Sequence, residues 1–144
     1  MIKSMAILFS MLVLPLCAYA QSTFQEDTFN TSAGELKLTF IGHSTLMLTF
    51  GETVVQVDPW TRLADYNTLP KADVILVTHE HGDHLDSKAI GQTRKPGTKI
   101  IWTESCARQF EGMNDATVMK NGEEITMHSL TIRAVPAYNI LHKR

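Results

Sequence analysis

Short segments in which apolar and polar residues alternate begin near residue 36 and are typical of β-strands. They span residues 36–41, 44–50 and 53–58. Gly51-Glu52 separates the last two segments and is a hairpin signal. Alternation places one face of each strand against a core and leaves the other face less buried. Residues 21–34, which precede these strands, are polar, and the sequence predicts a mobile N-terminal segment there.

The pattern changes after these strands, because Val74–Val77 is continuously apolar and predicts a strand that is covered on both faces. The other predicted elements are a short helix with Asp86 as its N-cap, a strand at Thr98–Trp102, a helix opened by Thr103 and ended by Gly112, and short strands after residue 117 around the turn Asn121-Gly122. Strands followed by alternating strands and helices indicate a mixed α and β fold of the α+β class. A chain of 144 residues suits one domain with its own core.

The first 20 residues have the pattern of a secretory signal peptide. Lys3 precedes an apolar run that is short for a membrane span, and the small residues Ala18 and Ala20 predict cleavage after Ala20. An uncleaved membrane anchor is the alternative, while a lipoprotein cut before Cys17 fits poorly because bulky Leu16 precedes it. The expected location is the periplasm or the exterior of the cell, without membrane attachment after cleavage.

Charge and cysteine content narrow the expected partners. Cleavage would remove Lys3 from the 13 basic residues and leave all 15 acidic ones, for a net charge of about −3. This charge predicts no nucleic-acid partner and no anionic membrane surface. Of the two cysteines only Cys106 would remain, so no intrachain disulfide is expected. Its place in a predicted helix favours a small buried apolar residue over a nucleophile.

The stretch THEHGDH concentrates three of the six histidines directly after the buried strand. Imidazoles and a carboxylate bind borderline-soft divalent ions such as zinc, at about 2.0–2.2 Å. A polar loop of chance composition is the alternative, but the ligand types, their spacing and their place at the end of a strand favour a metal site. His79 and His81 project from the same side of an extended backbone and can share one ion. Gly82 permits a turn that can direct Asp83 and His84 to a second ion.

The same stretch is similar to the T/S-x-H-x-H-x-D-H signature of the metallo-β-lactamase superfamily. IGHSTLMLTFGETVVQVDPW and VPAYN resemble the branch that includes ascorbate-6-phosphate lactonase-like and N-acylphosphatidylethanolamine phospholipase D-like proteins. The resemblance covers residues 36–139 and implies that residues 35–144 form part of an αββα sandwich domain. It also implies a zinc-dependent hydrolase with one or two ions, although other divalent metals are possible. The implied substrate is a small molecule with an ester, lactone or phosphodiester bond.

The resemblance assigns roles to the motif residues one by one. His79 and His81 would bind the first zinc, and Asp83 and His84 would bind the second and take part in catalysis. Asp58 would be a carboxylate that orients a ligand histidine, or else simply a turn residue before a proline.

His43 would lie at the rim of the site, where it either touches substrate or is a hydrogen-bonded structural histidine. Glu80 and Gly82 are interpreted as spacers, and His128 as a strand residue. The implied chemistry is metal-assisted hydrolysis, in which a bound zinc lowers the pKa of its water from about 15.7 to about 7.

The family pattern continues beyond VPAYN with a third histidine for the first ion, a Gly-Asp motif and a late histidine, whereas this sequence ends at NILHKR. His142 is the remaining candidate for the third histidine, in an unsupported basic segment. Two hypotheses follow. The chain is the N-terminal portion of an exported zinc hydrolase that needs a missing C-terminal half or self-association, or it is a non-catalytic metal-binding remnant. In either case one sheet would expose apolar side chains on its inner face unless something covers them, and the mature chain alone is predicted to be poorly soluble or metal-poor.

Overall fold

The computed structural model describes residues 24–110, 113 and 115–137. These residues form nine strands and two short helices: β1 (Gln25–Thr31), β2 (Gly34–Gly42), β3 (Thr45–Phe50), β4 (Thr53–Val57), β5 (Ala72–Val77), α1 (Ser87–Thr93), β6 (Arg94–Trp102), α2 (Glu104–Gln109), β7 (Ala116–Val118), β8 (Glu124–Met127) and β9 (Leu130–Arg133). The predicted signal peptide, Gly112 and His142 lie outside the described residues. Within the described part, neither helix has the length and hydropathy to cross a membrane.

Strands β1–β7 form one sheet in which the spatial order follows the chain order. Each neighbouring pair from β1 to β4 is antiparallel, and each pair from β4 to β7 is parallel. Because β2 and β4 are both antiparallel to β3, they run in the same direction, and β5 and β6 share it. The carboxyl ends of β2, β4, β5 and β6 therefore meet at one edge of the sheet, the edge where α/β proteins place ligand sites.

Both helices cover the same face of this sheet. Side chains from β5, β6 and the helices form one buried cluster there: Ala72, Ile75, Val77, Leu85, Ile90, Ile100, Trp102 and Cys106. A second cluster continues it over the antiparallel strands: Ile41, Met47, Val54, Tyr66 and Ala89. Cys106 is fully buried, as predicted, and burial raises the pKa of its thiol.

The β8–β9 hairpin covers part of the opposite face. Its apolar side chains Ile125, Met127, Leu130 and Ile132 pack against a cluster that contains Val55, Val74 and Ile101. Strand β5 is therefore buried on both faces, with Val74 and Ile75 both 0 % exposed, as its continuous apolar run predicted. The sequence predicted that this face exposes apolar side chains unless something covers them, and the hairpin covers part of it.

The predicted elements from residue 36 to residue 110 are confirmed, with shifted ends. Asp86 caps α1 by accepting hydrogen bonds from the backbone N–H groups of Lys88 and Ala89, at 2.9 and 3.0 Å. Two predictions are wrong. Residues 25–31 lie in the segment predicted to be mobile, but they form β1, which pairs along its whole length with β2. His128 is not a strand residue, because it and Ser129 form the tight turn between β8 and β9, with φ of 48° and 62°.

Candidate metal centre

Three segments converge at the carboxyl edge of the sheet. His43 follows β2, Asp58 follows β4, and the THEHGDH loop follows β5. His43 and Asp58 both have left-handed backbone conformations, with φ of 51° and 45°. This conformation is uncommon for residues other than glycine, although histidine and aspartate adopt it more readily than most. The chain thus turns sharply at the end of each strand and keeps these two side chains at the edge.

The first two histidines of the loop present nitrogen atoms to each other. His79 Nε2 and His81 Nδ1 are 3.2 Å apart. Two ligands of one tetrahedral zinc ion, each about 2.0–2.1 Å from the metal, are separated by roughly 3.3 Å. The pair therefore fits a shared ion with little rearrangement.

Thr78 fixes the ring orientation of His79. Its hydroxyl donates to Asp58 Oδ2 at 2.6 Å and lies 3.0 Å from His79 Nδ1. Because the only hydroxyl hydrogen is given to the carboxylate, the threonine oxygen accepts from Nδ1–H of the imidazole. This arrangement leaves the lone pair of His79 Nε2 directed at His81.

His84 is oriented by Asp58 directly. Its Nδ1 lies 2.8 Å from Asp58 Oδ2, and the side chains are 11 % and 2 % exposed. Ser44 Oγ is a further neighbour of the same nitrogen, at 3.2 Å. In a neutral imidazole whose Nδ1–H donates to a carboxylate, Nε2 carries the lone pair, and this is the arrangement found behind metal-binding histidines. Asp58 also accepts from the backbone N–H of Thr78 at 2.7 Å, so its charge is well solvated by the protein.

The exposed side of the centre holds a second group of possible ligands. His43, Asp83 and His84 each offer one ligand atom, a ring nitrogen or a carboxylate oxygen, and these atoms all lie within 4.8 Å of one another. Asp83 Oδ2 is 3.0 Å from His43 Nε2 and 3.7 Å from His84 Nε2. The rings of His79 and His84 lie with centroids 3.8 Å apart, so the two groups are adjacent.

The protonation states in the loop suit metal binding. Partial burial lowers the pKa of His79, and the neighbouring His84 and His81 lower it further. The pKa of Asp83 is also lowered, mainly by its own backbone N–H and additionally by the hydrogen bond with His43. A neutral imidazole and an ionised carboxylate are the forms that bind metal ions.

Flanking residues hold the loop in place. Ser105 of α2 donates to Glu80 Oε2 at 2.8 Å, so Glu80 does more than space its neighbours. On the other side, Asp86 Oδ2 accepts from the backbone N–H and the hydroxyl of Thr61, at 2.9 and 2.6 Å. The Trp60 ring lies 5.7 Å from the His43 ring and forms part of the rim.

The structure brings together all six described residues that the sequence singled out: His43, Asp58, His79, His81, Asp83 and His84. The sequence reasoning missed Thr78, Ser44 and Ser105. The threonine of the signature was visible in the sequence, but its link between Asp58 and His79 depends on the parallel pairing of β4 with β5.

Comparison with known proteins places the chain in a family. The sequence model of the beta-lactamase superfamily domain matches residues 37–143. The UPF0173 metal-dependent hydrolase TTHA1283 of Thermus thermophilus is 32 % identical over 110 residues, which are 72 % of this chain and 48 % of that protein. Protein Rv0786c of Mycobacterium tuberculosis is 30 % identical over 102 residues, or 69 % of this chain and 47 % of that protein.

A solved structure supports the same relationship. The crystal structure of a protein from Parabacteroides distasonis superposes with a TM-score of 0.76 and 50 % sequence identity, over 82 % of this chain and 53 % of that chain. The chain thus spans about half the length of the relatives that it matches. The resemblance and the mixed α+β fold predicted from the sequence are confirmed, and the chain belongs to the beta-lactamase superfamily.

Proposed function

We propose that this chain carries the metal centre of an exported, zinc-dependent hydrolase that cleaves ester, lactone or phosphodiester bonds in small molecules. The observation that carries the proposal is that the THEHGDH loop gathers four candidate ligands, His79, His81, Asp83 and His84, at one edge of the sheet. Two of them are held from behind, His84 by the buried Asp58 and His79 by Thr78. Relatives named as metal-dependent hydrolases support the reaction class. The signal-peptide pattern of residues 1–20 supports export.

Zinc is the ion that suits these ligands best. Imidazole nitrogens with a carboxylate oxygen form common zinc sites, whereas magnesium and calcium prefer oxygen ligands alone. When bound, zinc supplies an activated water, by lowering its pKa to about 7, and polarises a carbonyl or phosphoryl oxygen.

Each residue of the centre has a distinct task in this proposal. His79 would bind one ion through Nε2 and His81 through Nδ1, the two atoms that face each other. Asp83 and His84 would hold a second ion at the exposed side, where small-molecule substrates have access. Asp58 would keep both His79 and His84 in the tautomer that binds metal, the first through Thr78 and the second directly.

A metal-binding module without turnover is the second candidate. Among the described residues, an ion between His79 and His81 would have two facing histidine ligands, while a catalytic zinc usually has three protein ligands. Binding without hydrolysis would follow if water, and no third protein ligand, completes the coordination of that ion.

Metal content and hydrolysis, measured on the same samples of the mature chain, distinguish these candidates. Zinc per chain is determined after dialysis, and hydrolysis is followed with a chromogenic ester, a lactone and a phosphodiester. Each assay is repeated after EDTA treatment and zinc addition. A parallel series adds the part of the Parabacteroides distasonis protein that this chain does not cover.

Zinc-dependent turnover in either series, lost in His79→Asn and retained in the control His128→Asn, supports the hydrolase. Asparagine suits the control because it tolerates the left-handed conformation of His128. Zinc binding without turnover in both series supports the module, and a chain that takes up no zinc contradicts both candidates. Export is tested separately, by sequencing the N-terminus of the secreted protein, which is expected to begin at Gln21.

A further inference from the structure

His43 occupies a position that its sequence context does not explain. It lies directly after β2, forty residues before the THEHGDH loop, yet its Nε2 is 3.0 Å from Asp83 Oδ2. We propose that His43 is a third protein ligand, so that His43, Asp83 and His84 together bind one divalent ion without help from His79 or His81. The inference rests on the proposed function for the kind of ion, but it concerns binding and not hydrolysis.

The distances among the three residues fit a zinc site. Neighbouring ligands of a tetrahedral zinc, about 2.0–2.2 Å from the metal, are roughly 3.3–3.6 Å apart. Asp83 Oδ2 is 3.0 Å from His43 Nε2 and 3.7 Å from His84 Nε2, on either side of that range. A ring nitrogen of His43 and a ring nitrogen of His84 also lie within 4.8 Å of each other. Small side-chain rotations bring all three atoms to bonding distance of one ion.

The orientation of His84 adds an independent observation. Asp58 occupies its Nδ1, so Nε2 faces the space between His43 and Asp83 with its lone pair. Two imidazoles and one carboxylate then surround the same small volume. A cation is the group that satisfies all three at once.

The backbone at His43 also needs an explanation. The residue has a φ of 51°, which costs stability for a side chain with a Cβ, and its side chain is 51 % exposed. An ion pair between exposed groups contributes little to folding and does not offset such a cost. A ligand role accounts for both the strained conformation and the exposed position.

The competing explanation is that His43 only donates a hydrogen bond that positions Asp83. A matched pair of substitutions separates the two roles. His43→Asn keeps a hydrogen-bond donor but is a poor zinc ligand, whereas His43→Asp supplies a ligand oxygen but has no donor. Both side chains have the same length and tolerate the left-handed conformation, so a difference between the two variants reports the loss or gain of a metal ligand and not a change in size or backbone.

The experiment uses the full chain with His79→Asn and His81→Asn as background, so that these two positions, whose ring nitrogens face each other, no longer bind metal. Zinc affinity is measured by competition with a chromogenic chelator, and cobalt substitution reports the coordination number from its visible absorption. Far-ultraviolet circular dichroism of the metal-free variants confirms that each is folded. His128→Asn and His128→Asp in the same background serve as controls outside the centre.

We expect the background chain to bind one zinc ion. His43→Asn should lower the zinc affinity by at least about 100-fold, since even residues behind the ligands contribute roughly 10–100-fold. His43→Asp should lower the affinity by about tenfold or less. The cobalt spectrum of His43→Asn should change in intensity, while both His128 variants leave it unaltered. Affinity for His43→Asn equal to or above that for His43→Asp overturns the proposal and assigns a positioning role. Absence of binding in the background chain also overturns it. Hydrolysis is not measured, so the result is independent of whether the chain turns over any substrate.

Discussion

Asp58 is the residue on which the geometry of the centre depends. It is 1 % exposed, and its carboxylate accepts hydrogen bonds from the backbone and hydroxyl of Thr78 and from His84. The cost of burying this charge is offset by these three donors. The sequence left open whether Asp58 orients a histidine or merely occupies a turn. The structure shows the turn, with φ of 45°, and the hydrogen bond to His84 in the same residue.

Replacing Asp58 with asparagine should weaken zinc binding by about 10–100-fold, the usual effect of losing a group that orients a ligand histidine. Asparagine keeps the size and tolerates the backbone conformation, but it has a single acceptor oxygen. In either orientation its NH₂ group faces a donor that it cannot accept from, either the backbone N–H of Thr78 or the pair formed by the Thr78 hydroxyl and His84 Nδ1–H. The affinity is measured by chelator competition. Asp65→Asn, which changes an exposed aspartate in a loop away from the centre, is the control. An affinity within twofold of the wild type would show that Asp58 does not orient the ligands.

At the scale of elements, Asp73 links three strands at the end of the sheet opposite the centre. It lies near the start of β5, accepts from the backbone N–H of Val54 in β4 at 2.9 Å, and pairs with Lys95 of β6 at 2.7 Å. Its side chain is 17 % exposed. Although desolvation raises the pKa of Asp73, the hydrogen bonds from Lys95 and Val54 prevail and lower it.

Asp73→Asn should reduce the free energy of unfolding by about 1–2 kcal/mol at pH 7, less than the upper value for a charged hydrogen bond because Lys95 is partly exposed. Since the folded-state pKa is depressed, the carboxylate stabilises the protein above its unfolded pKa of about 3.9. The contribution is lost as the pH falls through the lower folded value. Urea unfolding from pH 7 to pH 3 should therefore show a constant difference down to about pH 5 that shrinks below about pH 4. Asp27→Asn, which removes the same charge from the exposed strand β1, is measured alongside as the control.

The elements that the sequence predicted are those with a local signal. Alternation identified β2–β4, a continuous apolar run identified β5, and Asp86 and Thr103 marked the starts of the helices. Strand β1 carries no such signal because all seven of its residues are exposed. Its position follows from backbone pairing with β2, which no hydrophobic period reveals.

The residues of the metal centre also differ in how far the sequence predicted them. The four candidate ligands of the THEHGDH loop were recognisable because they are neighbours in sequence. The approach of His43 to Asp83 was not, because it depends on β2 and β5 running in the same direction across two intervening strands. Spacing along the chain contains no information on that direction.

At the scale of the whole molecule, the described residues cover one face of the seven-stranded sheet with helices and the other face only in part. The helices pack on the first face, and the β8–β9 hairpin packs on the second face against a cluster that includes side chains of β4, β5 and β6. Phe29 and Phe40 lie on the second face, by their pairing with Leu36 and Leu46, and are 48 % and 38 % exposed. Apolar area left in water contributes nothing to folding, so the stability of this chain depends more than usual on its remaining contacts.

Metal binding should therefore stabilise the whole chain measurably, because an ion at the edge joins the ends of β2, β4 and β5. A ligand that binds only the folded state increases the free energy of unfolding by about 2.7 kcal/mol at a free concentration of about 100 times its Kd. At roughly 3–5 °C per kcal/mol, this raises the Tm by about 10 °C. The shift is measured by thermal unfolding with zinc and after EDTA. A variant that combines His79→Asn, His81→Asn and Asp83→Asn should unfold at the same temperature with and without zinc, while His128→Asn should respond like the wild type. If zinc in large excess leaves the wild-type Tm unchanged, the edge of the sheet does not bind the ion, and the convergence of its histidines requires a different explanation.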